Sequence, residues 1–300
     1  MRAKKPVIHQ MTIAQFEALF PDENACCAYL VERRWPKGVF CPRCGIEVNH
    51  PVATMPFKWQ CYSCAPDSGY RFSHLTGTIF ENTNKPLRDW FRVIHMMLTS
   101  KKGISALQVK RVMGFGSYET ALYMCNRIRA GLVDKDFQKL MGIVEVDETF
   151  VGGKSQNRHK DKRGGGQGGS GKTPVIGAVS RKGNVVARVL ENIDVATVGR
   201  FIRRSVSEKV SLLCTDQAGV YKTVGRRYEH GVVNHHIGEY VCGAIHTNTI
   251  EGFWSIFKRG IIGTFHKVSH KNMPLYVAEF CFRYNNRMND DIFGTAIGQC

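Results

Sequence analysis

The stretch Ile143-Val-Glu-Val-Asp-Glu-Thr-Phe150 decides how the second half of this chain is read. Its near-continuous apolar and β-branched character is that of an interior strand, interrupted by Glu145, Asp147 and Glu148. Side chains alternate along a strand, so Glu145 and Asp147 share one face and Glu148 takes the other. Acids in an interior strand need a reason: either the strand end reaches solvent, or the carboxylates serve chemistry. Downstream, residues 174–179 and 185–190 predict two strands about the turn Arg181-Lys-Gly-Asn184. Asp194 is placed to cap a helix whose apolar side is Val198, Phe201, Ile202 and Val206. Val210-Ser-Leu-Leu-Cys-Thr-Asp216 is a further buried strand, with Asp216 at its tip, where open α/β sheets place their ligands.

A third element follows in Gly243-Ala-Ile-His-Thr-Asn-Thr-Ile-Glu-Gly-Phe-Trp-Ser-Ile-Phe-Lys-Arg-Gly260. Glu251 and Lys258 are two helical turns apart and point the same way, and Asn248 lies on that face as well. Ile250, Phe253, Trp254 and Phe257 give the helix an apolar side on which to dock. Taken alone, such a polar edge reads equally as a solvated face. With Asp147 and Asp216, Glu251 makes three acids on three separate elements. Such a set can hold two divalent metals about 3.5 to 4 Å apart for phosphodiester displacement. Oxygen ligands select magnesium or manganese over zinc. A last helix is predicted over 274–286.

Upstream, Cys41-Pro-Arg-Cys44 and Cys61-Tyr-Ser-Cys64 have the spacing by which two knuckles place four thiolates around a structural zinc ion. Between them Val52, Met55, Phe57 and Trp59 suit the short strands of a ribbon. Thr12 caps a first helix carrying Phe16, Leu19 and Phe20, and a second runs through Cys26, Tyr29 and Leu30, with Cys26 and Cys27 read as packing residues. Asn84 and Pro86 are placed to start a helix with Leu87, Trp90, Phe91, Ile94 and Leu98 at helical spacing. Ser105 caps another, Gly114-Phe-Gly-Ser117 turns the chain, and a third helix runs from Tyr118 to about Leu132. Two helices about a short Gly-bearing turn read as helix-turn-helix, with Lys110, Arg111, Arg127 and Arg129 as phosphate contacts. Residues 152–172 are Gly-rich and basic, with Lys154, Arg158, Lys160, Lys162 and Arg163 against the single acid Asp161. That insertion reads as a loop closing over a phosphate backbone or as a solvated linker, and it lacks the residue order of a nucleotide P-loop.

Composition agrees with a polyanionic partner. The chain has 300 residues and a formal net charge of +17, and Lys and Arg exceed Asp and Glu in both halves. Of eleven cysteines, four fall in the paired units, which fits a reducing compartment and one metal site. The N-terminus has no apolar signal region and no apolar run is long enough for a bilayer, so a soluble, cytoplasmic protein on the nucleoid is expected, with no membrane partner.

In the order Cys41-x-x-Cys44, Cys61-x-x-Cys64, Gly77-Thr-Ile-Phe-Glu81, Val146-Asp-Glu-Thr-Phe-Val-Gly-Gly-Lys154, Thr215-Asp-Gln-Ala-Gly-Val-Tyr221 and His246-Thr-Asn-Thr-Ile-Glu-Gly-Phe-Trp-Ser-x-x-Lys258, the chain resembles the DDE transposases of bacterial insertion sequences, more closely those with an N-terminal zinc ribbon. The resemblance implies an α/β fold: a ribonuclease H-like mixed sheet flanked by helices, preceded by the ribbon and a small helix-turn-helix-like segment. It divides the chain into a helical lead-in (1–38), a zinc ribbon (39–80), a DNA-binding segment (84–135) and a catalytic domain (141–290). It also implies magnesium- or manganese-dependent nicking of double-stranded DNA at terminal inverted repeats and transfer of the freed 3′ hydroxyl onto target DNA. Asp147 and Asp216 match the first two metal-binding acids. For the third position both Glu251 and Asn248 stand on the relevant face, and Glu251 is favoured because a charged oxygen binds magnesium better than an amide. Lys258 would hold a DNA phosphate, with Arg259 beside it. Synapsis of two ends implies a dimer or higher oligomer. A non-catalytic DNA-binding derivative and a nuclease of the same fold stay open as alternatives.

Overall fold

The structure is a computed structural model and describes residues 11–134, 137–153, 171–233 and 245–300. The described residues fall into two compact units, one drawn from Met1–Leu132 with Arg287–Cys300 and one from Val133–Asn286.

In the first unit, helix α1 (Ile13–Leu19) opens with a capping box in which Gln15 and Thr12 satisfy each other's backbone N–H groups. Helix α2 (Glu23–Arg34) is capped by Asp22 and buries both Cys26 and Cys27. Strands β1 (Lys58–Cys61) and β2 (Tyr70–Ser73) form an antiparallel ribbon with Cys61 opposite Tyr70. Trp35, Trp59 and Phe72 pack around its base. Helix α3 (Leu87–Thr99) has no side-chain cap of its own. Its first N–H groups, those of Leu87 and Arg88, donate instead to the Glu23 carboxylate at 2.6 and 3.0 Å, so an acid on α2 and not Asn84 marks where it starts. Helices α4 (Ala106–Met113) and α5 (Tyr118–Gly131) are capped by Ser105 and Ser117, and Gly114 at φ +67° ends α4 in the left-handed conformation that glycine adopts without strain.

The second unit is built on strands β3 (Ile143–Val151), β4 (Thr173–Ser180), β5 (Val185–Val189), β6 (Leu212–Asp216) and β7 (His230–Val233), in the spatial order β5-β4-β3-β6-β7. The hairpins β3–β4 and β4–β5 are antiparallel, whereas β3–β6 and β6–β7 are parallel. Parallel pairs need crossovers; helix α6 (Val195–Ser205), capped by Asp194, lies between β5 and β6 in the chain and packs on Val144, Val146, Ile176 and Ala178. The opposite face, with Val175 and Val179, is covered by α7 (Asn248–Gly260) and α8 (Met273–Asn285). Asn285 fastens α8 to β5 by accepting from Val185 N–H at 2.7 Å and donating to Val185 O at 3.0 Å. The result is the mixed sheet flanked by helices expected of a ribonuclease H-like domain, with β3 in the middle.

Two elements had no sequence expectation. Strand β7 is only four residues long. Helix α9 (Ile292–Gln299) belongs to the first unit, where Phe293 packs edge-on to Phe16 and Phe91 and tilted against Phe20, and the Cys300 carbonyl accepts from Ile79 N–H. Among the described residues no helix is long and apolar enough to cross a membrane.

Candidate active site

The β3–β6 ladder runs as far as Glu145 opposite Cys214, and two residues beyond each, on the same face, come Asp147 and Asp216. Both carboxylates therefore stand where two neighbouring parallel strands end their pairing, each half-buried. Asp216 is held by Ala218 N–H, which donates to its Oδ1 at 3.0 Å in an Asx turn. Helix α7 lies over this face because Gly177, the β4 partner of Asp147, has no side chain. A Cβ there would come within 2.7 Å of the Trp254 ring.

Glu251 sits in the first turn of α7 with its Oε1 accepting from Thr247 Oγ1 at 2.8 Å. It is exposed, as are Asn248 one turn before it and Lys258 and Arg259 towards the other end, while Ile250, Phe253, Trp254 and Phe257 are buried. The predicted polar edge above a buried base is thus present. Asp147 is pushed up to about 7, first by burial and then by the like charges of Glu148, Asp216 and Glu251. Two of these acids, Asp216 and Glu251, are distant in sequence, and Glu148 is the next residue along the strand. Glu148 faces the other side of the sheet, as alternation requires, and accepts from the hydroxyl of the buried Tyr221. Burial raises the Glu148 carboxyl, against the lowering effect of that hydrogen bond, and both burial and Glu148 hold the Tyr221 phenol well above its ordinary value.

Glu145, whose role no sequence pattern signals, is the most enclosed acid among the described residues of the unit at 0% exposure. Its carboxylate accepts from Arg181 Nε at 2.7 Å, Thr249 N–H at 2.8 Å, Thr249 Oγ1 at 2.9 Å and Ile250 N–H at 3.0 Å. His246 Nδ1 lies 3.2 Å away. The only available signal in the sequence was an acid at an interior strand position with no nearby basic residue on its own strand.

In the ribbon, Cys41 Sγ lies 3.6 Å from Cys64 Sγ and Cys44 Sγ 3.7 Å from Cys61 Sγ, with all four sulfurs within 4.8 Å of one another. Four thiolates bonded to zinc at about 2.3 Å form a tetrahedron of edge about 3.8 Å, so the set fits a structural zinc ion. Burial opposes ionisation of Cys41, but backbone N–H groups of Cys44 and Arg43 and the neighbouring thiols bring it down to about 7, whereas burial and the same crowded sulfurs push Cys64 up to about 12, so one thiol of the set ionises at the expense of another. Among the described residues no other three His, Cys, Asp or Glu side chains gather this closely. Asp147, Asp216 and Glu251 are not drawn together as closely as the four cysteines.

The predicted DNA contacts divide. Lys110 is partly and Arg111 fully exposed on α4. Arg127 is half-buried and donates to the Glu81 carbonyl and to Tyr123 Oη at 3.2 and 2.6 Å. Arg129 is a correction: at 1% exposure it cannot reach a phosphate. It falls one turn after Cys125 on the buried stripe of α5 and donates to Asn126 Oδ1 at 3.1 Å. Lys154, Arg158, Lys160, Lys162 and Arg163 lie outside the described residues.

Residues 139–285 match the ISXO2-like transposase domain and residues 21–66 the transposase zinc-ribbon domain. A relative described as an uncharacterized protein in transposable element ISH50 of Halobacterium salinarum is 27% identical over 288 residues, covering 88% of this chain and 91% of its own. A chain of the simian T-cell lymphotropic virus intasome bound to PP2A regulatory subunit B56 gamma aligns at 11% identity over 64% of this chain and 65% of that one, with a TM-score of 0.28 that carries no structural argument.

Proposed function

We propose that this chain, which belongs to the insertion-sequence transposases that join a zinc ribbon to a DDE domain, binds the terminal inverted repeats of its element, nicks them and transfers the freed 3′ hydroxyl to target DNA. The reading is carried by the placement of Asp147 and Asp216 on adjoining strand ends, with burial first and then the charges of Glu148, Asp216 and Glu251 raising Asp147 to about 7. Clustered carboxylates that repel one another in the absence of a cation form a hard-oxygen donor set suited to magnesium or manganese. Asp147, Asp216 and Glu251 would hold such ions, whose chemistry there would be activation of the attacking oxygen and charge neutralisation at the leaving one.

The chain's own residues supply the rest. Asp147 and Asp216 would hold the ions from the sheet, and Glu251 would be the third acid, supported by its contribution to the field at Asp147. Asn248 borders the same site. Lys258 and Arg259, exposed on α7, neutralise phosphates flanking the reacting link. The zinc ribbon, with Lys110, Arg111 and the basic insertion, contacts the element ends, which need two protomers to be brought together.

The experiment is incubation of the purified zinc-loaded protein with magnesium and DNA bearing its own inverted repeats. Joined end–target products support the transposase. Cutting without joining makes the protein a nuclease, and metal-independent binding alone makes it a DNA-binding derivative. Wild-type activity in Asp147→Asn or Asp216→Asn contradicts the assigned site.

A further inference from the structure

Helix α7 presents a problem of local chemistry. Its N-cap residue, Thr247, makes no side-chain cap, because its hydroxyl donates to Glu251. The orphan N–H groups of a first helical turn must still find acceptors when the turn is buried. They find one carboxylate more than a hundred positions earlier: the Glu145 side chain takes Thr249 N–H and Ile250 N–H together with the Thr249 hydroxyl. A negative charge at that end of the helix also meets the positive end of its dipole.

We propose that Glu145 is a positioning residue for the metal site, setting where Asn248 and Glu251 stand relative to Asp147. The inference rests on the site assigned under Proposed function. Thr249 and Ile250 are the two residues between Asn248 and Glu251, so the helical turn gripped by Glu145 is the turn that carries both. Asp147 lies two residues further along β3 on the same face. One buried side chain thus ties the strand bearing the first acid to the helix bearing the third. Arg181, from the turn between β4 and β5, completes the clamp: its Nε donates to Glu145 at 2.7 Å and its Nη2 to the His246 carbonyl at 3.0 Å, fixing the segment that leads into α7. Arg181 Nε, Thr249 N–H, Thr249 Oγ1 and Ile250 N–H all donate to the Glu145 oxygens, so a carboxylate fits them and a carboxamide does not. In Glu145→Gln one acceptor oxygen is lost and an NH2 group is turned toward donors.

The test is Mn2+ binding by electron paramagnetic resonance on full-length, zinc-loaded protein, with melting temperature measured alongside. Supporting groups of this kind shift metal affinity by about tenfold or more when altered, so Glu145→Gln should raise the Mn2+ dissociation constant by at least about tenfold at a temperature where it remains folded. Thr249→Val, isosteric and missing one of the hydrogen bonds to Glu145, should shift it in the same direction by less. The Mg2+ concentration giving half-maximal cleavage should rise in parallel, while zinc content stays unchanged. A folded Glu145→Gln with wild-type Mn2+ affinity, or, if that variant does not fold, a Thr249→Val with wild-type affinity, overturns the proposal and leaves the transposase reading intact. If the wild-type protein holds no Mn2+ that Asp216→Asn abolishes, the site assignment itself fails and this proposal goes with it.

Discussion

The ribbon and the carboxylate site each gather like-charged ligands, and they do so by opposite means. Cys41 and Cys44 share one knuckle and Cys61 and Cys64 another, so the backbone around each pair aims the sulfurs and only two segments must meet. Asp147, Asp216 and Glu251 come from three elements, and burial first, with the neighbouring acids adding to it, raises the Asp147 carboxyl. The first site is assembled by local geometry and closed by its ion. The second draws on a sheet, on Gly177 beneath Trp254 and on the hydrogen bonds of buried Glu145.

The contrast is broken most severely by removing zinc. A structural zinc site contributes about 10–16 kcal/mol of apparent binding free energy, so Cys61→Ser or chelation should unfold β1 and β2 while leaving hydrogen-exchange protection of β3, β4 and β6 unchanged. Loss of protection in both regions together would mean that the sheet depends on the ribbon. Next in size, Asp216→Asn should lower end cleavage by at least about 100-fold, because several kcal/mol of charge stabilisation are removed at about 1.36 kcal/mol per decade. Single-turnover cleavage assays measure it, and the melting temperature should not fall.

Packing beneath the helix is tested by Gly177→Val. The added side chain meets Trp254, and overpacking of this kind costs about 1–3 kcal/mol, readable by chemical denaturation. A smaller effect follows from pH. Asp147 has its folded-state carboxyl raised from 3.8 to about 7, so in metal-free protein its contribution to stability is full at low pH and is lost as pH rises through about 7. Magnesium binds the deprotonated acid, and the rise in melting temperature on adding it should therefore be larger near pH 8 than near pH 5. Least in magnitude, Lys110→Ala and Arg111→Ala should each reduce the salt dependence of end binding by about one unit of slope, with Arg129→Met leaving that slope unchanged.

Much of this contrast could be read in the chain before folding. The cysteine spacing needs no tertiary information, and the strand alternation that separates Asp147 from Glu148 is a property of the pleat. Helix α7 declared its polar edge through Asn248, Glu251 and Lys258. What could not be read is whatever depends on distant partners. Arg129 looked like a surface cation because charge is visible in a sequence and burial is not. Glu23 as the cap of α3 and Glu145 as the cap of α7 are hydrogen bonds between residues far apart in the chain, and no local rule predicts them. The convergence of Asp147 and Asp216 lay between these cases: each strand end was legible, and their adjacency followed only once β6 paired with β3.

The central claim is that carboxylates from β3, β6 and α7 share a divalent cation. Crystals of the protein grown with Mn2+ and measured at the manganese absorption edge address it directly. Anomalous density between Asp147 and Asp216, at about the 2.0–2.1 Å oxygen distances of a small hard cation, is the expected result. Manganese bound elsewhere, with those two side chains turned apart, would contradict it.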